Sequence, residues 1–280
     1  MKKKLIDFDG MFDARLAEYM SEHPDKYSEK QWEAQIPKLY AKFGDTYLKC
    51  AENTPRGYYA AMTNEELVDS LARHIQEDVP VSDFLCRELE SRDCPDELAE
   101  LLKGGDERIL TLAANLAGAN PKAFDAYFAI ILGQFDADIK DTAAEQLKSG
   151  ADEAKERALA FYEAGKEREY MLEILSRVKE RDERVFEILF KEFRLAEEEI
   201  PMRASYLAAY GDERALPVLL EAIDRDSVNY LEYRELKYAI EALGGEYTRE
   251  RDFSDDAYYK EICEQSQLPV DPELLAKKDA

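Results

Sequence analysis

Few side chains in this sequence stand at a spacing that could do chemistry. The 280-residue chain has two histidines, His23 and His74. His23 precedes Pro24 in a polar turn and His74 falls on an amphipathic helical pattern. Neither has a partner at metal-ligand spacing, so both read as structural. The four cysteines, Cys50, Cys86, Cys94 and Cys263, form no Cys-x-x-Cys and read as reduced thiols. Asp224, Asp226 and Glu235 fit positions 1, 3 and 12 of a calcium loop. Val228 at the fifth position offers no oxygen, however, and Asn229 stands where the loop needs glycine, so the pattern is rejected. No Gly-x-Ser-x-Gly, P-loop or dinucleotide glycine pattern occurs. The expectation is a protein with no catalytic residue, no metal and no cofactor.

Binding chemistry has a better candidate. Arg203, Tyr206 and Tyr210 share one helical stripe opposite Ala204, Leu207 and Ala208. Tyr230, Tyr233, Arg234 and Lys237 share another, opposite Leu236, Ala239, Ile240 and Leu243. Tyrosine and arginine are enriched where proteins bind proteins, so these seven residues form a candidate protein-binding patch. The alternative is that the tyrosines simply cover core edges.

The elements that must position these residues are helical. From about residue 64 onward, apolar residues recur at spacings of three and four, interrupted by Gly, Pro, Asp or Asn. No sustained two-residue alternation suggests a strand. The expected helices form six pairs: 64–77 with 81–91, 95–103 with 106–117, 120–133 with 137–148, 151–163 with 167–179, 182–193 with 196–210, and 212–224 with 228–243. Their first members recur about every 30 residues, which is the signature of stacked helical hairpins. The expected division is an aromatic-rich helical cap over 1–62, repeats over 63–246 and a helical extension over 247–280.

The tripeptide Asp-Glu-Arg stands before three apolar runs, at Asp106, Asp182 and Asp212. Asp182 and Asp212 lie one period apart and open first helices, whereas Asp106 opens a second helix. The tripeptide therefore reads as a helix start. The aspartate caps first-turn amides, a contribution of about 1 kcal/mol, the glutamate sits at the positive end of the helix dipole, and the arginine is expected to remain in solvent. Pro217 lies inside the following apolar run, so that helix must kink there or begin later than Asp212.

The stretch 204–223, through Ala204, Leu207, Ala208, Gly211, Asp212, Ala215, Leu216, Pro217, Leu219, Leu220 and Ile223, resembles a HEAT repeat. More narrowly it is similar to the bacterial HEAT-like repeats named after the phycobilin lyases. Ile139, Lys140, Ala143, Ala144 and Leu147 resemble the second helix of that repeat, and 240–246 resembles its close. The resemblance covers 64–246 and is concentrated in 200–246. It implies an all-α fold: a right-handed α-solenoid of about six hairpins, a HEAT/armadillo-like superhelix whose second helices line a concave binding face. It implies no chemistry, since lyase activity belongs to only some carriers of the repeat.

Charge narrows the partners. Acids outnumber bases 62 to 38, for a net charge of −24. A surface that binds nucleic-acid phosphates needs clustered Lys and Arg, so nucleic acid is not expected, and the sole tryptophan, Trp32, lies outside the repeats, against a HEAT-type DNA glycosylase. The 17 Tyr and 12 Phe argue for a folded chain. No segment approaches the ~20 apolar residues that span a bilayer, and the basic start has no apolar stretch behind it. The expectation is a cytoplasmic, non-enzymatic scaffold that binds a protein or peptide. The alternative is an accessory or lyase-like protein that grips a small ligand.

Overall fold

The computed structural model describes residues 3–266 apart from 25, 93, 197 and 198. The described residues form an all-α protein without strands; one isolated bridge joins Leu48 to Asn53. The chain divides into two compact units, Met1–Ala154 and Lys155–Ala280.

The first unit begins with α1 (Phe8–Glu22), α2 (Glu29–Gly44) and the short α3 (Pro55–Ala60). Next come α4 (Asn64–Gln76), α5 (Asp83–Ser91), α6 (Pro95–Leu101), α7 (Glu107–Ala117), α8 (Phe124–Leu132) and α9 (Ala137–Ser149). The boundary between the units falls inside α10 (Ala151–Glu163). The second unit continues with α11 (Arg168–Leu175), α12 (Glu183–Leu195), α13 (Ile200–Tyr210), α14 (Leu216–Ile223), α15 (Tyr230–Ala242) and α16 (Ala257–Ser266). Residues 267–280, the rest of the expected C-terminal extension, lie outside the described residues.

In the first unit the aromatic N-terminal region shares one core with α4–α6. Phe8, Phe12, Phe43 and Tyr59 pack with Leu67, Leu71, Leu85 and Leu98. Leu67, Leu71 and Leu85 are fully buried, and each such burial contributes roughly 1.5–3 kcal/mol. Tyr40 stacks on Phe84 with ring centroids 4.6 Å apart, and its hydroxyl donates to Asp9, which also accepts from Ser82. Gly44 permits this close packing, because a Cβ there would lie 2.6 Å from the Phe84 ring. Further along, α6 packs on α4 and α7, α7 on α5 and α9, and α8 on α9.

In the second unit α13 packs on α11, α12 and α15, α14 packs on α15, and α15 on α16. The α13 helix ends at Gly211, whose φ of +76° is a left-handed conformation that favours glycine. A 3₁₀ turn, Glu213–Ala215, follows, so α14 starts at Leu216. Pro217 thus sits in the first turn, where its missing N–H leaves no hydrogen bond unmade.

Three further expected helices differ in extent; the one expected over 120–133 opens with a 3₁₀ turn, Pro121–Ala123, so α8 starts at Phe124. The one expected over 196–210 starts at Ile200. Pro201 belongs in a first turn, and an earlier start would have put it inside the helix. The one expected over 167–179 stops at Leu175, although the polar residues that follow carry no glycine or proline to mark the end.

Candidate binding surfaces

All three Asp-Glu-Arg turns open helices as their composition requires. Asp106, Asp182 and Asp212 accept from the backbone N–H of Arg108, Arg184 and Arg214 at 3.1, 3.0 and 3.0 Å. The arginines stay more than half exposed, as expected, yet they are paired rather than free. Each guanidinium folds back onto its own aspartate and reaches a carboxylate about one hairpin earlier: Arg108 to Asp78 at 3.2 Å, Arg184 to Glu156 at 2.6 Å, and Arg214 to Glu183 at 2.9 Å. The separations along the chain are 30, 28 and 31 residues. Hydrogen bonds from Arg184 and Arg214 hold the Asp182 and Asp212 carboxyls down at about 2.

The first candidate stripe is interior. Arg203 is 5% exposed and bonds both oxygens of Glu169 at 2.6 Å, as well as Glu199 at 2.6 Å. Its guanidinium lies 5.6 Å from the Tyr206 ring centroid. Tyr206 is buried, its hydroxyl has no hydrogen-bond partner among the described residues, and burial pushes its pKa up. The Tyr210 hydroxyl accepts from the Asp182 N–H at 2.9 Å and donates to the Asp182 carbonyl at 3.0 Å. A two-faced helix would have left these residues open. Because α13 has three packed neighbours, Arg203, Ala204, Tyr206, Leu207 and Tyr210 are all buried, and the open line is Met202 and Ala209.

The second stripe is divided. Tyr230 and Tyr233 are half-buried under the chain's own 247–259 segment. Tyr230 meets Tyr259 and Phe253 at 4.8 and 5.3 Å, and Tyr233 meets Phe253 at 5.0 Å while its hydroxyl donates to the Arg249 carbonyl at 3.0 Å. Lys237 is half-buried, and Arg234 is exposed with its guanidinium 5.9 Å from the Tyr230 ring. The open line of α15 is therefore Leu231, Arg234 and Tyr238, with Tyr238 64% exposed. Its spacing of three and four was visible in the sequence, but nothing local said that the neighbouring tyrosines would be covered.

Each unit also carries an open groove. In the second unit, a groove of about 810 Å³ lies between the end of α10, the start of α11 and the outer face of α12. Ile188, Phe190, Leu195 and Tyr162 supply its apolar lining, and Arg168, Lys191 and Arg194 its cations. Arg168 lies 4.4 Å over the Tyr162 ring and bonds Glu192 at 3.0 Å, while the Tyr162 hydroxyl donates to Glu192. In the first unit, a smaller groove of about 220 Å³ between α1 and α2 is lined by Phe12, Leu16, Leu39 and Phe43, with Arg15 and Lys42 at its edge.

The remaining polar candidates have structural surroundings. His23 is exposed and its Nδ1 lies 3.1 Å from the Tyr19 carbonyl oxygen. His74 is buried, with Nδ1 2.8 Å from the Pro80 carbonyl oxygen and Nε2 unpartnered among the described residues. Burial lowers its pKa. Asp224 accepts from the Tyr247 hydroxyl and pairs with Arg249 at 2.8 Å. Among the described residues no group of three or more His, Cys, Asp or Glu is arranged to hold a metal ion. No helix among them is long and apolar enough to cross a membrane.

The chain matches no family model, and no curated protein or solved structure is significantly similar to it.

Proposed function

We propose that this protein is a non-enzymatic interaction scaffold, a HEAT-like array of two-helix units that holds a protein or peptide along the surface of its second helices. One observation carries the reading: polar ties recur at the hairpin spacing. Arg184 reaches Glu156, Arg214 reaches Glu183, Tyr210 clamps Asp182, Arg203 grips Glu169, and Arg108 reaches Asp78. All span 28 to 34 residues along the chain. A unit too small to bury its own apolar face gains stability from its neighbours, and such arrays serve as extended binding surfaces.

The binding line moves with the burial pattern. Arg203, Tyr206 and Tyr210 act as internal struts, and the partner-facing residues on α13 and α15 are Met202, Leu231, Arg234 and Tyr238. Affinity capture tests this with wild type beside the exposed double variant Leu231→Glu/Tyr238→Ala, both checked for helical content. Partners retained by wild type and lost by the variant support the assignment. The same partners on both remove the stripe, and a wild-type chain that retains none removes the scaffold reading.

A further inference from the structure

The groove of the second unit has a chemistry that the scaffold reading alone does not use. We infer that it is a docking site for an acidic segment of another protein, one that carries apolar anchor residues.

Charge and exposure together point to that occupant. Three other arginines of this unit are held by carboxylates: Arg184 by Glu156 and Asp182, Arg203 by Glu169 and Glu199, Arg214 by Glu183 and Asp212. Lys191 and Arg194, one turn apart on α12, make no ion pair among the described residues. They stand so in a chain with 62 acids and 38 bases. Glu187 precedes Lys191 by one turn on the same helix and Glu163 stands on α10, so the cations concentrate toward the C-terminal end of α12. Beside them Leu195 is 65% exposed and Phe190 is half-open, with Arg194 6.0 Å from its ring.

Leu195 and Phe190 offer apolar area to be covered, and Lys191 and Arg194 select the sign of what covers it. A carboxylate-bearing segment with Leu or Phe at helical spacing satisfies both, the helix-in-groove mode of recognition. Lys191 and Arg194 also disfavour a basic ligand at that end, which is half of specificity. The inference rests on the chain being a binding protein.

Fluorescence anisotropy on the full chain tests it. The probe is a fluorescein-labelled synthetic peptide of about four helical turns, with Leu and Phe at the i, i+3, i+4 and i+7 positions and Glu or Asp elsewhere. The control replaces each Glu and Asp with Lys. The acidic peptide should bind, and Lys191→Glu/Arg194→Glu should weaken it by about tenfold or more, with Leu195→Asp acting in the same direction. All variants are exposed on α12 and should keep wild-type circular dichroism.

Absent binding, equal affinity for the basic peptide, or affinity unchanged by these variants would overturn the assignment. So would sedimentation showing a second copy in the groove, as a concentration-dependent dimer that Leu195→Asp abolishes. Binding that appears only when residues 267–280 are deleted would assign the groove to the chain's own end and overturn it equally. Failure of the peptide arm, with partners still captured by wild type, removes the groove but leaves the scaffold; loss of both removes the scaffold reading itself.

Discussion

The same tripeptide does different work in the two units. In the first, Asp106 is a surface cap: its side chain is 34% exposed and its Arg108 reaches Asp78, which is 85% exposed. In the second, Asp182 and Asp212 are 13% and 7% exposed and each takes a further cation, Lys155 at 3.5 Å and Arg181 at 2.7 Å. Arg214 also lies 3.9 Å over the Phe186 ring. The local sequence specifies a helix start in all three places. Whether that start becomes a joint between hairpins depends on what the preceding hairpin presents.

The comparison predicts a graded series under denaturant. Asp212→Ala should cost most, about 2 kcal/mol, because a cap is lost and two guanidiniums lose a carboxylate. Asp182→Ala should cost less, about 1–1.5 kcal/mol, since Lys155 is the more distant second partner. Asp106→Ala should cost least. Equal losses at all three positions would break the comparison and reduce the tripeptide to a cap everywhere.

Acid separates the units further. The Asp182 and Asp212 carboxyls lie at about 2, below the unfolded value near 3.9. Their contribution is therefore complete above about pH 4 and is lost as pH falls toward 2. The deficit of Asp212→Asn relative to wild type should be present at pH 7 and shrink across that window. A deficit that persists at pH 2 would show that charge is not its cause.

His74 in the first unit works higher on the scale. Burial lowers its pKa, with Arg73 adding to the effect and the backbone acceptors and Asp7 opposing it. The unfolded chain then takes up this proton first, so stability declines as pH falls below about 6.5 and levels off under the folded pKa. Denaturant midpoints at pH 7 and pH 5 should differ for wild type and differ less for His74→Gln. The smallest effect expected is that of Asp106→Asn, since asparagine caps as well as aspartate and little charge pairing is buried there.

How far the sequence could be read follows from the range of its signals. Helix starts marked by a cap were legible because caps act within one turn: the three aspartates cap as their local chemistry requires, whereas the uncapped start expected at 196 falls at Ile200. The all-helical fold followed from apolar spacing. The end of α11 was not legible, because no breaker marks it. The candidate surface was only partly legible. Arg203 carries no sign that Glu169, 34 residues earlier, will take its guanidinium, and Tyr230 and Tyr233 give none that the 247–259 segment will lie over them. A tyrosine presents the same pattern whether its ring packs inward or faces a partner, and tertiary neighbours decide which.

Repetition itself is the claim most open to a direct test. Excising residues 182–211 removes α12 and α13 and joins Arg181 to Asp212, recreating the Arg-Asp-Glu-Arg junction and offering Arg214 the Glu156 that Arg184 held. In an array whose units contact only their neighbours, α15 can take the place of α13 on α11. Thermal unfolding followed by circular dichroism should show a cooperative transition, with helical signal reduced in proportion to the residues removed. A shortened chain without a cooperative transition, or with far more helix lost than was excised, would contradict a repeated architecture.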